Sequence, residues 1–287
     1  VGRFQASRNE INGIAGSGVV VRAEESENYF WYNTITAPGD GIRVTARTDT
    51  SITAHGNRIE NSRTGIRLQQ SGTDVYQSAD VTLRNNTLTG NRLHGVGITA
   101  RTLDVAVDLA DNTVRENGRD GVHASAWGLQ RGEISGNEIA RNGDDGIELD
   151  GTLVTKTTVS GNEIAENVGS GLAVRTDVAA RSLAVHNNTV RDSGGHGVTV
   201  QSDLLVYGSA VSENQLTNNA GAGLTVSSPI THRGNLSVAN NVVAANTYGM
   251  VLRGVMGTTV RDNAIVFNTK RFPDPVQLPD GEPGTGS

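Results

Sequence analysis

Gly136-Asn137-Glu138-Ile139-Ala140-Arg141-Asn142-Gly143-Asp144-Asp145-Gly146-Ile147-Glu148-Leu149 is the stretch whose pattern decides the fold. Two asparagines stand five residues apart around a short alternation, and Gly146 follows nine residues after the first. A second alternation, Ile147 to Leu149, then begins. The pattern repeats in both directions. An Asn followed two residues later by an aliphatic residue recurs at Asn9, Asn33, Asn57, Asn86, Asn112, Asn137, Asn162, Asn188, Asn214, Asn241 and Asn263, at intervals of 22 to 29 residues.

The aliphatic partners are Ile59, Leu88, Val114, Ile139, Ile164, Val190, Leu216, Val243 and Ile265 in nine of these units. The second Asn returns at Asn91, Asn117, Asn142, Asn167, Asn219, Asn246 and Asn268, and the glycine at Gly95, Gly121, Gly146, Gly171, Gly197 and Gly223. Segments of three to five residues with period-two alternation have one apolar and one polar face. A unit of three such segments cannot bury its apolar face alone, but stacked units bury all of them in one column. The pattern predicts an all-β chain: a single right-handed parallel β-helix of about eleven coils over residues 1–271, with three short strands per coil. At about 4.8 Å per coil the rod would be roughly 50 Å long. The Asn columns are expected to be structural, each amide bonding to the coils above and below, with Asn and the recurrent Gly also tolerating left-handed corners. Residues 272–287, with four of the six prolines, are expected to form an extension, linker or strap over the last coil.

Composition narrows the function. The net charge is −6 with 22 Arg against two Lys, and no basic face favours nucleic acid. There is no Cys, which excludes disulfides and thiolate chemistry. No stretch reaches the length of a membrane-spanning helix, and no signal peptide is visible. Val1 falls in mid-coil, the expectation for a mature product or a fragment. Two Met and scattered His give no soft-metal cluster of the kind copper delivery would need.

The run Gly136–Leu149 resembles the repeat of the pectate-lyase-like superfamily of parallel β-helices, and the resemblance covers roughly residues 1–270. It implies the fold and a short list of jobs, among them polysaccharide lyases, hydrolases, uronate epimerases, phage tailspikes and surface adhesins. Gly143-Asp144-Asp145 and Gly195-His196-Gly197 also resemble segments of polygalacturonases. They lie about two coils apart, where that family places them on adjacent coils. Its other two segments have no counterpart in the right places.

Stacking turns equivalent positions into columns, so a surface can be mapped. Before each recurrent Gly stand His94, Asp120, Asp145, Ser170, His196 and Ala222. Two residues after it stand Gly97, His123, Glu148, Ala173, Thr199 and Thr225, and four after it Thr99, Ser125, Asp150, Arg175, Gln201 and Ser227. Asp120, His123, Asp145, Glu148, Asp150 and Arg175 therefore converge over three successive coils. Three chemistries fit. A polyuronate lyase or epimerase would use His123 as base and Arg175 as the cation facing the substrate carboxylate, with Ca²⁺ on Asp145, Glu148 and Asp150 as the alternative cation. A glycoside hydrolase would use Asp120 and Asp145. A structural Ca²⁺ site is the third. Trp127 would supply a stacking platform for a sugar, with His94 and His196 at the borders of the site. His and Asp are also favoured before a turn Gly for backbone reasons alone.

The sequence thus points to an extracellular or cell-surface protein, the periplasm included, that contacts a polysaccharide or surface glycan. Catalysis is left open, because the repeat is regular and the insertions near Gln70–Ser78 and Val178–Arg181 are short. A non-catalytic surface rod, adhesin or stalk segment is the alternative. The oligomeric state is not readable.

Overall fold

The computed structural model describes residues 2–72, 74–206, 208–228, 236–255 and 257–269. His232 and the 272–287 extension lie outside them. Among the described residues all regular structure is strand, and every strand pairing is parallel to the equivalent strand one coil away. The short strands after the anchor Asn form one sheet of eleven, from Glu10–Ile11 to Ala264–Val266. The other two faces are continuous as a sheet of 21 strands. They join where long strands such as Val122–Gln130 and Ile147–Thr155 turn the corner from one face to the next.

The core follows the sequence pattern. Ile59, Leu88, Val114, Ile139, Ile164, Val190, Leu216 and Val243 form one buried file. Each such side chain contributes about 1.5–3 kcal/mol on burial. Ile265, expected to point inward, is 41% exposed. It sits on the last described coil, so among the described residues only one neighbouring coil packs on it.

The Asn columns are ladders. Asn137 Oδ1 accepts both the backbone N–H and the side-chain N–H of Asn112, each at 2.9 Å. Its own Nδ2 donates to Leu109 O, to Ser135 O and to Asn162 Oδ1. The same arrangement runs from Asn9–Asn33 to Asn241–Asn263. The second ladder has the same form from Asn91 to Asn167 and from Asn219 to Asn268; at Ser62 and Ser193, where the Asn is missing, the backbone N–H still donates to the next Asn.

The left-handed corners differ from expectation. The anchor Asn residues are not left-handed; the residue just before each one is. Arg8, Tyr32, Asn85, Asp111, Asn187, Glu213, Asn240 and Asp262 have φ between 54° and 58°. Gly56, Gly136 and Gly161 take the same place at 63° to 64°. The ladder bonds hold non-glycine residues in a conformation that costs roughly 1–2 kcal/mol each. The recurrent Gly is required by space and not by φ. A Cβ on Gly121 would lie 2.7 Å from Gly146 O and 2.7 Å from Ile139 Cγ2.

Candidate functional site

The column before the recurrent Gly is itself a ladder of side-chain acceptors. Asp120 Oδ1 accepts the Asp145 N–H at 3.0 Å, and Asp145 Oδ1 accepts the Ser170 N–H at 2.5 Å. Ser170 Oγ accepts the His196 N–H at 3.4 Å, and His196 Nδ1 accepts the Ala222 N–H at 2.9 Å. Each Asp therefore spends one oxygen on the backbone and keeps Oδ2 for the surface. Both are buried, which makes those second oxygens strong electrostatic partners.

Strand register supplies the partners. His123 lies opposite Glu148, and Asp150 opposite Arg175. His123 Nδ1 donates to Glu148 Oε2 at 2.7 Å and lies 3.5 Å from Asp120 Oδ2. Arg175 donates from Nη2 to Asp145 Oδ2 at 3.0 Å and from Nη1 to Glu148 Oε1. Ala173, the neighbour of Glu148 in the next coil, leaves the room across which Arg175 reaches back. At the other end Gly97 is the neighbour of His123. There the His94 ring stacks on His123, with centroids 4.9 Å apart and planes at 23°. His94 Nδ1 lies 3.0 Å from Asp120 Oδ2.

These contacts set the charges. The carboxylates of Asp120 and Glu148 push His123 up to about 9, against the opposing effect of burial. Burial alone would raise Asp120, but the imidazoles of His123 and His94 beside it hold it well below the usual carboxylate range. The bond from His123 lowers Glu148 against burial. Burial raises Asp145, and the Ser170 N–H and Arg175 only partly offset it. Burial and the charge of Glu148 raise Asp150. At neutral pH His123 is therefore an imidazolium. Expected from the sequence to act as a base, it rests as a proton donor.

The Ca²⁺ set fares differently. The Arg175 guanidinium bridges Asp145 and Glu148, and Glu148's other oxygen faces His123. A Ca²⁺ ion on Asp145, Glu148 and Asp150 would therefore have to displace Arg175 and His123 from the first two. Asp150 instead lines an open groove of about 460 Å³ with Arg175, Thr176, Asp177, Gln201, Asp203 and Ser227. The proposed hydrolase pair has carboxylate oxygens within 4.8 Å. Inverting pairs stand about 6.5–9.5 Å apart and retaining pairs about 5–5.5 Å; here both Asp are committed to the backbone and to a cation.

His196 joins none of these groups. Its Nδ1 caps a backbone N–H, and burial lowers its pKa. Trp127 is 43% exposed, four residues beyond His123 on the same strand. That places it about 13 Å along the chain from the histidine. Sequence mapping stopped two coils short on the other side. Asp40 precedes Gly41 in the acceptor column, and Arg43 and Arg67 share the column of His123. Asp40 is 1% exposed and lies 3.9 Å from both Arg43 Nε and Arg67 Nη1. Carrying the column rule back to Gly41 finds all three.

The family model for the right handed beta helix region matches residues 2–152 and 40–203. The chain belongs to this right-handed β-helix family. No curated protein matches the sequence. Among solved structures, this β-helix is similar to the periplasmic alginate epimerase AlgG, at 13% identity and a TM-score of 0.57, covering 90% of this chain and 75% of that one. A double mutant of that epimerase gives 11% identity and 0.61, covering 91% and 76%. The A-module of the Azotobacter vinelandii mannuronan C-5 epimerase AlgE6 gives 14% and 0.51, covering 84% and 79%. At these identities the likeness establishes the shared fold.

Proposed function

We propose that this β-helix binds an acidic polysaccharide across the His123–Arg175 face and moves a proton next to a uronate carboxylate. One observation carries this: Glu148 holds a proton donor and a guanidinium on its two oxygens, at the surface of adjacent coils. Arg175 is 39% exposed and can pair with the substrate carboxylate. That pairing makes the hydrogen on the adjacent carbon more acidic. His123 would deliver a proton to one face of the resulting carbanion or to the leaving oxygen. His94, stacked on it, is the second imidazole within reach to take one away. Arg43 and Arg67 extend the cationic path towards the N-terminal coils. The coil rise of about 4.8 Å is close to the length of one sugar in a 1,4-linked polymer. The likeness to alginate and mannuronan epimerases supports this substrate class by fold analogy alone. An extracellular or periplasmic location would follow from such a substrate.

A non-catalytic glycan-binding rod is the second possibility, favoured by the mutual compensation of charge between Asp120, His123, Glu148, Arg175 and Asp145. Incubation with a panel of polyuronates in heavy water with chelator, followed by mass spectrometry, separates the two. Deuterium in intact polymer means epimerisation, and unsaturated fragments mean a lyase. Either should be lost in Arg175→Gln and His123→Gln. Unchanged polymer that still binds wild type, and binds Arg175→Gln more weakly, would establish the rod. Unchanged polymer with no binding would refute the polysaccharide proposal altogether.

A further inference from the structure

We propose that His94, Asp120 and His123 form a binding site for a divalent transition-metal ion of the zinc class. The proposal stands independently of the polysaccharide. One ligand atom from each residue lies within 4.8 Å of the other two. Asp120 Oδ2 is 3.0 Å from His94 Nδ1 and 3.5 Å from His123 Nδ1. Ligand atoms on a tetrahedral ion with bonds of about 2.0–2.1 Å stand about 3.3 Å apart, so the two spacings bracket what an ion between them requires.

A second observation points the same way. His94 Nδ1 is buried and makes no hydrogen bond of good geometry among the described residues, although Asp120 Oδ2 is 3.0 Å off. The contact is close but out of line with the ring N–H. A buried polar atom without a partner calls for an explanation, and a bound ion is one of the recognised ones. The ligands are also held in place. Asp120 cannot swing away without breaking its Oδ1 bond to the Asp145 N–H, and the two rings are stacked. Glu148 Oε2, 2.7 Å from His123 Nδ1, is positioned to close the shell or to orient a bound water.

The donor set decides the ion. Two imidazoles and one carboxylate suit Zn²⁺, Cu²⁺ or Ni²⁺, whereas Ca²⁺ takes six to eight oxygens. A bound ion would take the His123 nitrogen that otherwise faces Glu148, so ion and ion pair exclude each other.

The test is calorimetric titration of the full chain, first stripped with chelator, with Zn²⁺ alone. Two variants are chosen to fold. Asp120→Asn keeps an oxygen for the Asp145 N–H and loses the anionic ligand. His94→Phe keeps the stacked ring and loses the nitrogen. Loss of a mere supporting partner costs about 10–100-fold in metal affinity, so each variant should lose at least that much. Wild type should bind one Zn²⁺ per chain and ignore Ca²⁺, and His186→Ala on another face should match wild type. Absence of Zn²⁺ binding, or equal affinity in wild type, Asp120→Asn and His94→Phe, would overturn the proposal. Failure to bind Zn²⁺ leaves the proposed function untouched, because the polymer assay is run in chelator; a bound ion would take the His123 nitrogen that the proton transfer uses.

Discussion

Two ladders do the same job by different means: the anchor column runs from Asn9 to Asn263, and the column before the recurrent Gly runs unbroken from Asp120 to Ala222. In the anchor column every atom of the amide is used: Asn137 Oδ1 accepts twice and Nδ2 donates to three oxygens. Nothing is left over, and only Asn meets the demand. In the column before the recurrent Gly one acceptor per coil suffices, so Ser17, Asp120, Asp145, Ser170 and His196 all serve. An aspartate there has an oxygen to spare. The difference shows where a regular solenoid can host chemistry without losing its regularity: in the column whose structural requirement is weakest.

Breaking the stricter ladder should cost most. Asn137→Leu strands two buried donors of Asn112 and removes the side-chain donor to Leu109 O. At about 1–3 kcal/mol for each stranded donor, a loss of about 2–6 kcal/mol is expected from urea unfolding. A loss under about 1 kcal/mol would mean that water replaces the amide and that the two columns are equally permissive.

The looser ladder should distinguish its two oxygens. Asp120→Ala removes the acceptor of the Asp145 N–H and should cost about 1–3 kcal/mol. Asp120→Asn retains that acceptor and should cost clearly less in the same assay. Equal losses would place the importance of Asp120 in its charge, and the contrast between columns would fail.

The smallest effect is a pH dependence. In chelator, the contribution from His123, pushed up to about 9 by Asp120 and Glu148, is complete below the unfolded histidine value of about 6.5. It fades as pH rises through 9. Asp120 and Glu148 are shifted the other way, so their contribution is complete above the ordinary carboxylate range and is lost as pH falls below it. Thermal melts should therefore decline between about pH 7 and 9, and His123→Gln should flatten that limb. An unchanged limb in the variant would show that His123 is not held charged.

Much of this was legible because the repeat constrains the backbone so tightly. The inward file from Ile59 to Val243 follows from the anchor Asn alone, and so does the convergence of His123, Glu148 and Arg175 on one face. What the repeat does not encode is where a side chain turns within its column. Arg175 reaches back to Glu148 because Ala173 is small. His94 lies against His123 because Gly97 carries no side chain in between. His196 turns its Nδ1 onto the Ala222 N–H and joins none of the charged groups. The left-handed corners were misplaced for a similar reason. The pattern marks the Asn that stabilises the corner, while the neighbour that occupies it varies from Glu213 to Tyr32.

The register that successive coils keep on this face has a practical meaning. Because the strands of successive coils meet residue for residue at Val122, Ile147 and Leu172, the rod works as a ruler with one graduation per coil. A whole extra repeat inserted in the turn between the Asp120 and Asp145 coils would leave both ladders continuous. It would separate His123 from Arg175 by one further graduation. Spacing along this surface can thus be edited in fixed steps, much as type is set, with the letters kept and only the gaps changed.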